Sequence, residues 1–292
     1  MKVLLLGGTG YIGSNLVTQR PNWTWTTVGS RQCNLLDKNS VINIQGKYDV
    51  VINVAGFYGG IVFNQRYQKE ILYKNLEMTS NVWRLLDQLN PKKFINIGSA
   101  CLYPRTAINQ ISESQISDRT YHPSIKYSAM AKHLQLDLLK NYELDWEYLI
   151  LSNVYGPGEH LSFEKSHFVG SLIKKLQDDK NYVTMLGTGS AIRDFIYISD
   201  VAEAICRYAE LPKSTCSATN ISTGNGTSIF EMTETLTNIV NPDVKITWGD
   251  EKDNGVAYKV LNNNKMVKDI DYRPNTSINE GLIKTWEFFK NE

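Results

Sequence analysis

Short unbroken apolar runs alternate with stretches of helical spacing along the first third of the chain, the pattern of a parallel sheet joined by crossover helices. Val3–Leu6 reads as a buried strand, and Tyr11–Gln19 as the helix after a glycine-rich turn. Trp25–Val28, Val50–Val54 and Phe94–Ile97 read as further strands. Between the last two, Ile71, Leu72, Leu76, Val82, Leu85, Leu86 and Leu89 keep an apolar face over a long helix, Tyr67–Leu89, which Pro91 ends. A second long helix is predicted over Tyr127–Tyr142, then a strand at Glu147–Leu151. The cluster Asn153-Val154-Tyr155-Gly156-Pro157-Gly158 has turn composition and marks a crossing into a second region, where periodicity is mixed and strands are short. There Ser228-Ile229-Phe230-Glu231 has the spacing of a capping box, and Asn262–Asn264 reads as a polar loop.

Composition narrows the class. The 292 residues make one large domain or two small ones, and 42% hydrophobic content supports a substantial core. Net charge is +1, from 31 Lys and Arg against 30 Asp and Glu, so no global basic field recruits nucleic acid or membrane. No apolar run approaches the ~20 residues that span a bilayer, and no export signal is evident. Cys33, Cys101, Cys206 and Cys216 show neither CxxC nor metal-type spacing, which argues against a disulfide scaffold or a zinc site. The expectation is a cytoplasmic globular protein with no bound metal.

Gly7, Gly10 and Gly13 form G-x-x-G-x-x-G directly after the first strand and opening into a helix. The first allows the tight turn, the second lets backbone approach a pyrophosphate, and the third lets helix pack on strand. At the end of the second strand, Gly29-Ser30-Arg31 carries no acid for a ribose diol. Arg31 can instead pair with a 2′-phosphate, which favours NADP(H) and leaves NAD(H) open.

Several segments, in order, resemble the extended short-chain dehydrogenase/reductases, the sugar-nucleotide epimerase/dehydratase group, and within it the GDP-L-fucose synthases. They are Gly7-Gly8-Thr9-Gly10-Tyr11-Ile12-Gly13, Asn34-Leu35-Leu36-Asp37, Ala55-Gly56-Phe57-Tyr58-Gly59-Gly60-Ile61-Val62 and Gly98-Ser99-Ala100-Cys101-Leu102-Tyr103-Pro104. Further on come Asn153-Val154-Tyr155-Gly156-Pro157, Lys165-Ser166-His167-Phe168-Val169, and Gly187-Thr188-Gly189 followed by Arg193-Asp194-Phe195. The resemblance implies a Rossmann-type doubly wound parallel sheet with a smaller C-terminal α/β lobe. The dinucleotide domain would span 1–155 with a return segment near 192–222, and the nucleotide-sugar lobe 156–191 and 223–292. It further places Thr9, Tyr11, Ile12, Asn34, Leu35, Ala55, Gly56, Lys132 and Val154 along the cofactor.

The implied chemistry begins with a 4-keto sugar, whose C3 and C5 hydrogens are acidic because the ketone delocalises the carbanion. Epimerisation needs one group to remove a proton and another to return it on the opposite face. The resemblance assigns these roles to Cys101 and His167. Taken alone, Cys101 could equally be a small buried hydrophobe, and His167 a hydrogen-bonding residue at a helix start. Reduction at C4 needs a hydride from nicotinamide and a proton at O4, for which the superfamily uses Tyr-x-x-x-Lys with a Ser or Thr. Ser99 and Lys132 match, but the residue four before Lys132 is Ser128, and Tyr127 stands five before it. At ~100° per residue, Tyr127 is ~140° from Lys132 around a regular helix. Three readings remain: a helix bulge re-aims Tyr127; Ser128, Ser99 or a water relays the proton; or C4 redox is altered, leaving an epimerase or a C4 dehydrogenase of a GDP-hexose or GDP-heptose. A catalytically silent dinucleotide-binding protein is the alternative from another class.

For the substrate, the resemblance implies Asn153 at the sugar or its phosphate, Arg193 at the nucleotide ribose or diphosphate, and Lys175 and Lys259 near the nucleotide. Lys259 follows Asp253-Asn254-Gly255; Leu186 stands where the relatives often carry Trp before Gly-x-Gly, so GDP is an inference from the family alone. A homodimer through the two long helices is also implied. His122, His133 and His160 lie in no motif and are expected at surface or loop positions.

Overall fold

The computed structural model describes residues 1–106, 109–162, 165–179, 181–251 and 254–291, with Ile61 described in its backbone only. Asp253 therefore lies outside the described residues. The first part runs β1 (Lys2–Leu6), α1 (Tyr11–Gln19), β2 (Thr24–Val28), α2 (Lys38–Ile42), β3 (Val50–Asn53), α3 (Ile61–Arg66), α4 (Gln68–Leu89), β4 (Lys93–Ser99), α5 (Lys126–Leu139) and β5 (Asp145–Leu151). The second runs β6 (Asn153–Tyr155), α6 (Phe168–Asp178), β7 (Tyr182–Met185), β8 (Ile192–Arg193), β9 (Phe195–Tyr197), α7 (Ile198–Glu210) and β10 (Ser217–Ile221). It ends with β11 (Thr227–Ser228), α8 (Ile229–Val240), β12 (Lys245–Trp248), β13 (Tyr258–Lys259), α9 (Asn264–Ile270) and α10 (Ile278–Phe289).

Six strands form an all-parallel sheet in the order β10-β5-β4-β3-β1-β2. The strands β1, β3, β4 and β5 are almost continuously buried because helices cover both faces. One face packs Leu4, Val51, Phe94 and Ile150 against α4 and α5, and the other packs Leu5, Ile52, Ile95 and Leu149 against α7. The order in which successive strands are added reverses between β1 and β3, and this switch point opens a crevice at the carboxyl ends of the strands. A third core, built on Leu172, Ile173, Phe195, Met232 and Leu282, underlies the small sheets β11-β8-β13 and β12-β7.

Four expectations change. The apolar face of Tyr67–Leu89 belongs to two helices, since Tyr67 (φ −111°, ψ 34°) breaks the chain between α3 and α4; Asn90, left-handed at φ 43°, ends α4 before Pro91. The helix expected over Tyr127–Tyr142 starts at Lys126 and stops at Leu139. The cluster expected as a turn at 153–158 begins as a strand, because Asn153, Val154 and Tyr155 pair in parallel with Phe195, Ile196 and Tyr197. The triplet 262–264 is more than a polar loop: Asn263 Nδ2 donates to the carbonyls of Ser222 and Thr223, and Asn264 opens α9. The capping box forms as Ser228 and Glu231 exchange hydrogen bonds at the start of α8.

Candidate active site

The glycine turn is shaped by backbone sterics. Gly7 adopts φ +85°, and the amides of Gly7 and Gly8 both donate to Val28 O, at 2.9 and 3.1 Å. A Cβ on Gly13 would lie 2.3 Å from Gly7 O and 2.7 Å from Gly8 Cα, so only glycine lets α1 pack on this loop. Gly10 caps α1 without a side chain, and no acid stands in the first turn. The helix start therefore presents amides and a partial positive charge to the crevice, a cradle that fits a dinucleotide pyrophosphate.

The other expected cofactor residues take several places. Thr9 packs on Gly29, where a Cβ would lie 2.1 Å from Thr9 Oγ1. Ala55 closes on Gly7, whose missing Cβ would come 2.9 Å from Ala55 N, and Gly56 follows it. Leu35 is buried in the core, while Asn34 turns the loop by accepting from Leu36 N. Ile12 and Val154 pack between two cores. The hydroxyl of Tyr11 is buried without a hydrogen-bond partner among the described residues, within electrostatic reach of Glu159. Arg31 is exposed, and no hydrogen bond or ion pair holds it among the described residues.

Cys101 is the centre of the polar cluster beyond β4. Ser99 ends that strand, accepts from Cys101 N at 3.4 Å, and hydrogen-bonds the thiol. Burial pushes the Cys101 thiol up, opposed by Ser99 and the ammonium groups of Lys259 and Lys132. Lys132, buried on α5, donates to Ile97 O; burial lowers its ammonium to about 8. Lys259, only 8% exposed, is likewise held at about 8 by burial, with Cys101 opposing and Arg193 reinforcing.

Lys259 and Arg193 are register partners on the neighbouring strands β13 and β8. The two cations therefore lie side by side on one face. Burial holds Arg193 at about 10; its guanidinium donates to Ile192 O at 2.8 Å. Asp194, on the opposite face, spends its carboxylate on Thr223, Gly224 and Leu261 N. The Lys259 ammonium has no carboxylate or hydrogen-bond partner among the described residues. Two desolvated cations without an acid are an anion-binding arrangement.

The remaining expected residues are placed differently. His167 caps α6 and donates its amide to Glu159 Oε1 at 2.8 Å. Its surface stays accessible, while the enclosing protein, with His160, keeps its imidazole below the ordinary histidine value. Glu159, buried beneath it, is raised to about 7 by burial. No contact joins His167 to Cys101 among the described residues. Asn153 Nδ2 donates to Asp194 O at 3.0 Å, and Lys175 Nζ to Thr184 O at 2.7 Å. Ser128 is buried, donating to Asn64 Oδ1 at 3.1 Å. Helix α5 is regular through its length, so no bulge re-aims Tyr127, which lies in its first turn beside Lys126.

Three residues were not legible as parts of the site. His122 caps the short turn before α5 and lies within electrostatic reach of Lys259, Arg193 and Arg105, which with burial lower its imidazole. Tyr58 stacks its ring under Lys132, with Nζ 4.7 Å from the ring centroid. Glu159 supports the loop of His167. By contrast His133, expected at a surface or loop position, is buried on α5 with Nε2 3.0 Å from Leu102 O. Its place on the apolar face of a helix over the sheet explains the difference.

A crevice at the switch point of a doubly wound sheet, with a glycine cradle and a Ser-Cys-Lys cluster at the strand ends, defines a dinucleotide-dependent enzyme of the short-chain dehydrogenase type. The chain belongs to the NAD dependent epimerase/dehydratase family, whose model matches residues 3–222. It is 26% identical to GDP-L-fucose synthase 1 of Arabidopsis thaliana over 301 residues, covering 99% of this chain and 93% of that protein. Among solved structures, a GDP-6-OMe-4-keto-L-xylo-heptose reductase from C. jejuni superposes with TM-score 0.90 at 21% identity, covering 99% of this chain and 97% of that one. A GDP-L-fucose synthetase from Naegleria fowleri bound to NADP superposes with TM-score 0.87 at 22% identity, covering 99% and 94%. No helix among the described residues is long and apolar enough to cross a membrane, and no group of His, Cys, Asp and Glu among them could hold a metal ion.

Proposed function

We propose that the protein is an NADP(H)-dependent reductase and epimerase of a GDP-linked 4-keto sugar. The observation that carries this reading is the cluster of Cys101, Lys132, Lys259 and Arg193, which joins a proton-transfer group to two neighbouring cations with no acid beside them among the described residues. Arg193 and Lys259 would hold the diphosphate, with Asn153 and Lys175 in the same lobe. Ser99 would polarise the C4 carbonyl, and Lys132 would bind the cofactor ribose. Cys101 would move a proton at C3 or C5, with His167 as its counterpart on the sugar's other face. The cofactor supplies the hydride for C4. The exposed, unpaired Arg31 and the absence of an acid at 29–31 support the 2′-phosphate form.

The test is incubation with GDP-4-keto-6-deoxymannose and NADPH in deuterated water. Deuterium at C3 or C5 with NADPH consumed supports the full reading. NADPH consumption without deuterium means a C4 reductase alone. No reaction, with NAD(H) retained through purification, points to C4 oxidation of an unmodified GDP-hexose or GDP-heptose. The exposed apolar stripe Met130, Leu134 and Leu138 on α5 supports a homodimer through the long helices, tested by sedimentation.

A further inference from the structure

On α5, Ser128 spends its proton on Asn64 and Tyr127 stands five residues before Lys132 in a regular helix, yet a second phenol reaches the same lysine from another element. We propose that Tyr58, on the loop between β3 and α3, delivers the proton to the C4 oxygen in place of the helical tyrosine. The inference rests on the reductase reading above and names the residue that completes it.

Four observations support the assignment. The Tyr58 ring lies under Lys132, 4.7 Å from Nζ to centroid, and its charge also couples to Cys101. Its hydroxyl is buried and has no hydrogen-bond partner among the described residues. A buried orphan hydroxyl is rare, because the lost hydrogen bond to water is not replaced. A substrate oxygen would satisfy it. The ring also has a built seat: a Cβ on Gly56 would lie 2.4 Å from Tyr58 Cε2.

The loop is fixed on both sides of the phenol. Asn75 clamps Phe57, accepting from its amide at 2.9 Å and donating to its carbonyl at 3.0 Å. Asn64 Nδ2 donates to Gly59 O at 2.9 Å, and Asn64 Oδ1 accepts from Ser128. Ser128, the residue four before Lys132, thus acts as a positioning residue that ties α5 to the loop carrying Tyr58. Its own proton is committed to that tie.

Hydride adds to the sugar C4, the carbonyl π pair moves to O4, and O4 takes the proton from Tyr58 Oη. The phenolate left behind keeps the Lys132 ammonium over its ring face and regains its proton from solvent when product leaves. The titratable groups facing Tyr58 are Lys132 from α5, Cys101 from beyond β4 and Tyr148 from β5. Burial, with Cys101 adding to it, raises the phenol well above its ordinary value, so the group holds its proton until the strongly basic alkoxide forming at O4 takes it.

The test is Tyr58→Phe, which keeps the ring in its seat and removes only the hydroxyl, compared with Tyr127→Phe. NADPH consumption with a panel of GDP-linked 4-keto sugars should fall by ~10²–10⁴-fold in Tyr58→Phe, the larger loss of the two. NADPH affinity and deuterium exchange at C5 should be retained. A second readout uses cofactor-free protein with tyrosines isotope-labelled at the phenol carbon, where the resonance lost in Tyr58→Phe belongs to Tyr58. It should show no titration through the ordinary phenol range; titration like an exposed tyrosine overturns the assignment. An active wild type matched by an equally active Tyr58→Phe overturns the Tyr58 role alone. A wild type that consumes no NADPH with any sugar of the panel overturns the proposed function and this inference together.

Discussion

Replacing Lys259 by Met should make the ligand-free protein more stable and its nucleotide-sugar binding weaker. Lys259 is 8% exposed, and burial holds its ammonium at about 8 against an ordinary value of 10.5. Each pKa unit is worth ~1.36 kcal/mol, so keeping the charge in the folded protein costs about 3 kcal/mol at neutral pH. Met fills nearly the same space and also relieves Arg193 of a like charge one strand away. Urea unfolding at about pH 7 should show a gain approaching 3 kcal/mol, an upper value because water and neighbours relax around the charge.

The pH dependence gives the sign. Between about 8 and 10.5 the unfolded chain holds the Lys259 proton more tightly than the folded one, so wild-type stability rises with pH across that window. The gap to Lys259→Met should therefore close as pH rises. Calorimetry should show GDP-sugar affinity down by ~10–100-fold, the worth of one hydrogen bond to a charged group. A variant less stable than wild type at neutral pH, or a gap unchanged with pH, would mean that the ammonium already has a partner. The anion-site argument would then fail.

Gly13→Ala puts a methyl 2.3 Å from the Gly7 carbonyl oxygen, where only backbone can yield. It should destabilise by ~1–3 kcal/mol and abolish thermal stabilisation by NADP. Arg31→Ala should weaken NADPH binding by ~10–100-fold and leave NADH binding nearly unchanged, measured by fluorescence titration. Cys101→Ser should cut deuterium incorporation at C3 and C5 by ~10²–10⁴-fold while cofactor affinity holds. Because burial raises the Cys101 thiol, exchange in the wild type should increase with pH above neutrality; a flat profile would exclude its thiolate as the base.

What the sequence determined by itself was local and steric. The run Gly7-Gly8-Thr9-Gly10-Tyr11-Ile12-Gly13 can form only one kind of turn, because the positive φ at Gly7 and the missing Cβ at Gly13 are properties of single residues in a short frame. The apolar runs of β1, β3, β4 and β5 likewise announced strands buried on both faces, since one residue's burial fixes its neighbour's direction. The five-residue offset of Tyr127 from Lys132 was readable too, and regular α5 keeps it.

Only the tertiary structure decided which charges lose water and what stands opposite them. Nothing between positions 58 and 132 says that a loop phenol will lie under a helical ammonium; that depends on how α3 and its loop dock on α5. Lys259 and Arg193 are 66 residues apart and meet through the register of two-residue strands, too short to show periodicity. The strand at 153–155 was hidden for the same reason: its pairing partner at 195–197 supplies the hydrogen bonds that turn-forming composition alone did not predict. Backbone sterics act between near neighbours and are written in sequence. Desolvation, register and long-range pairing are sums over everything that packs around a group, and these make the candidate site.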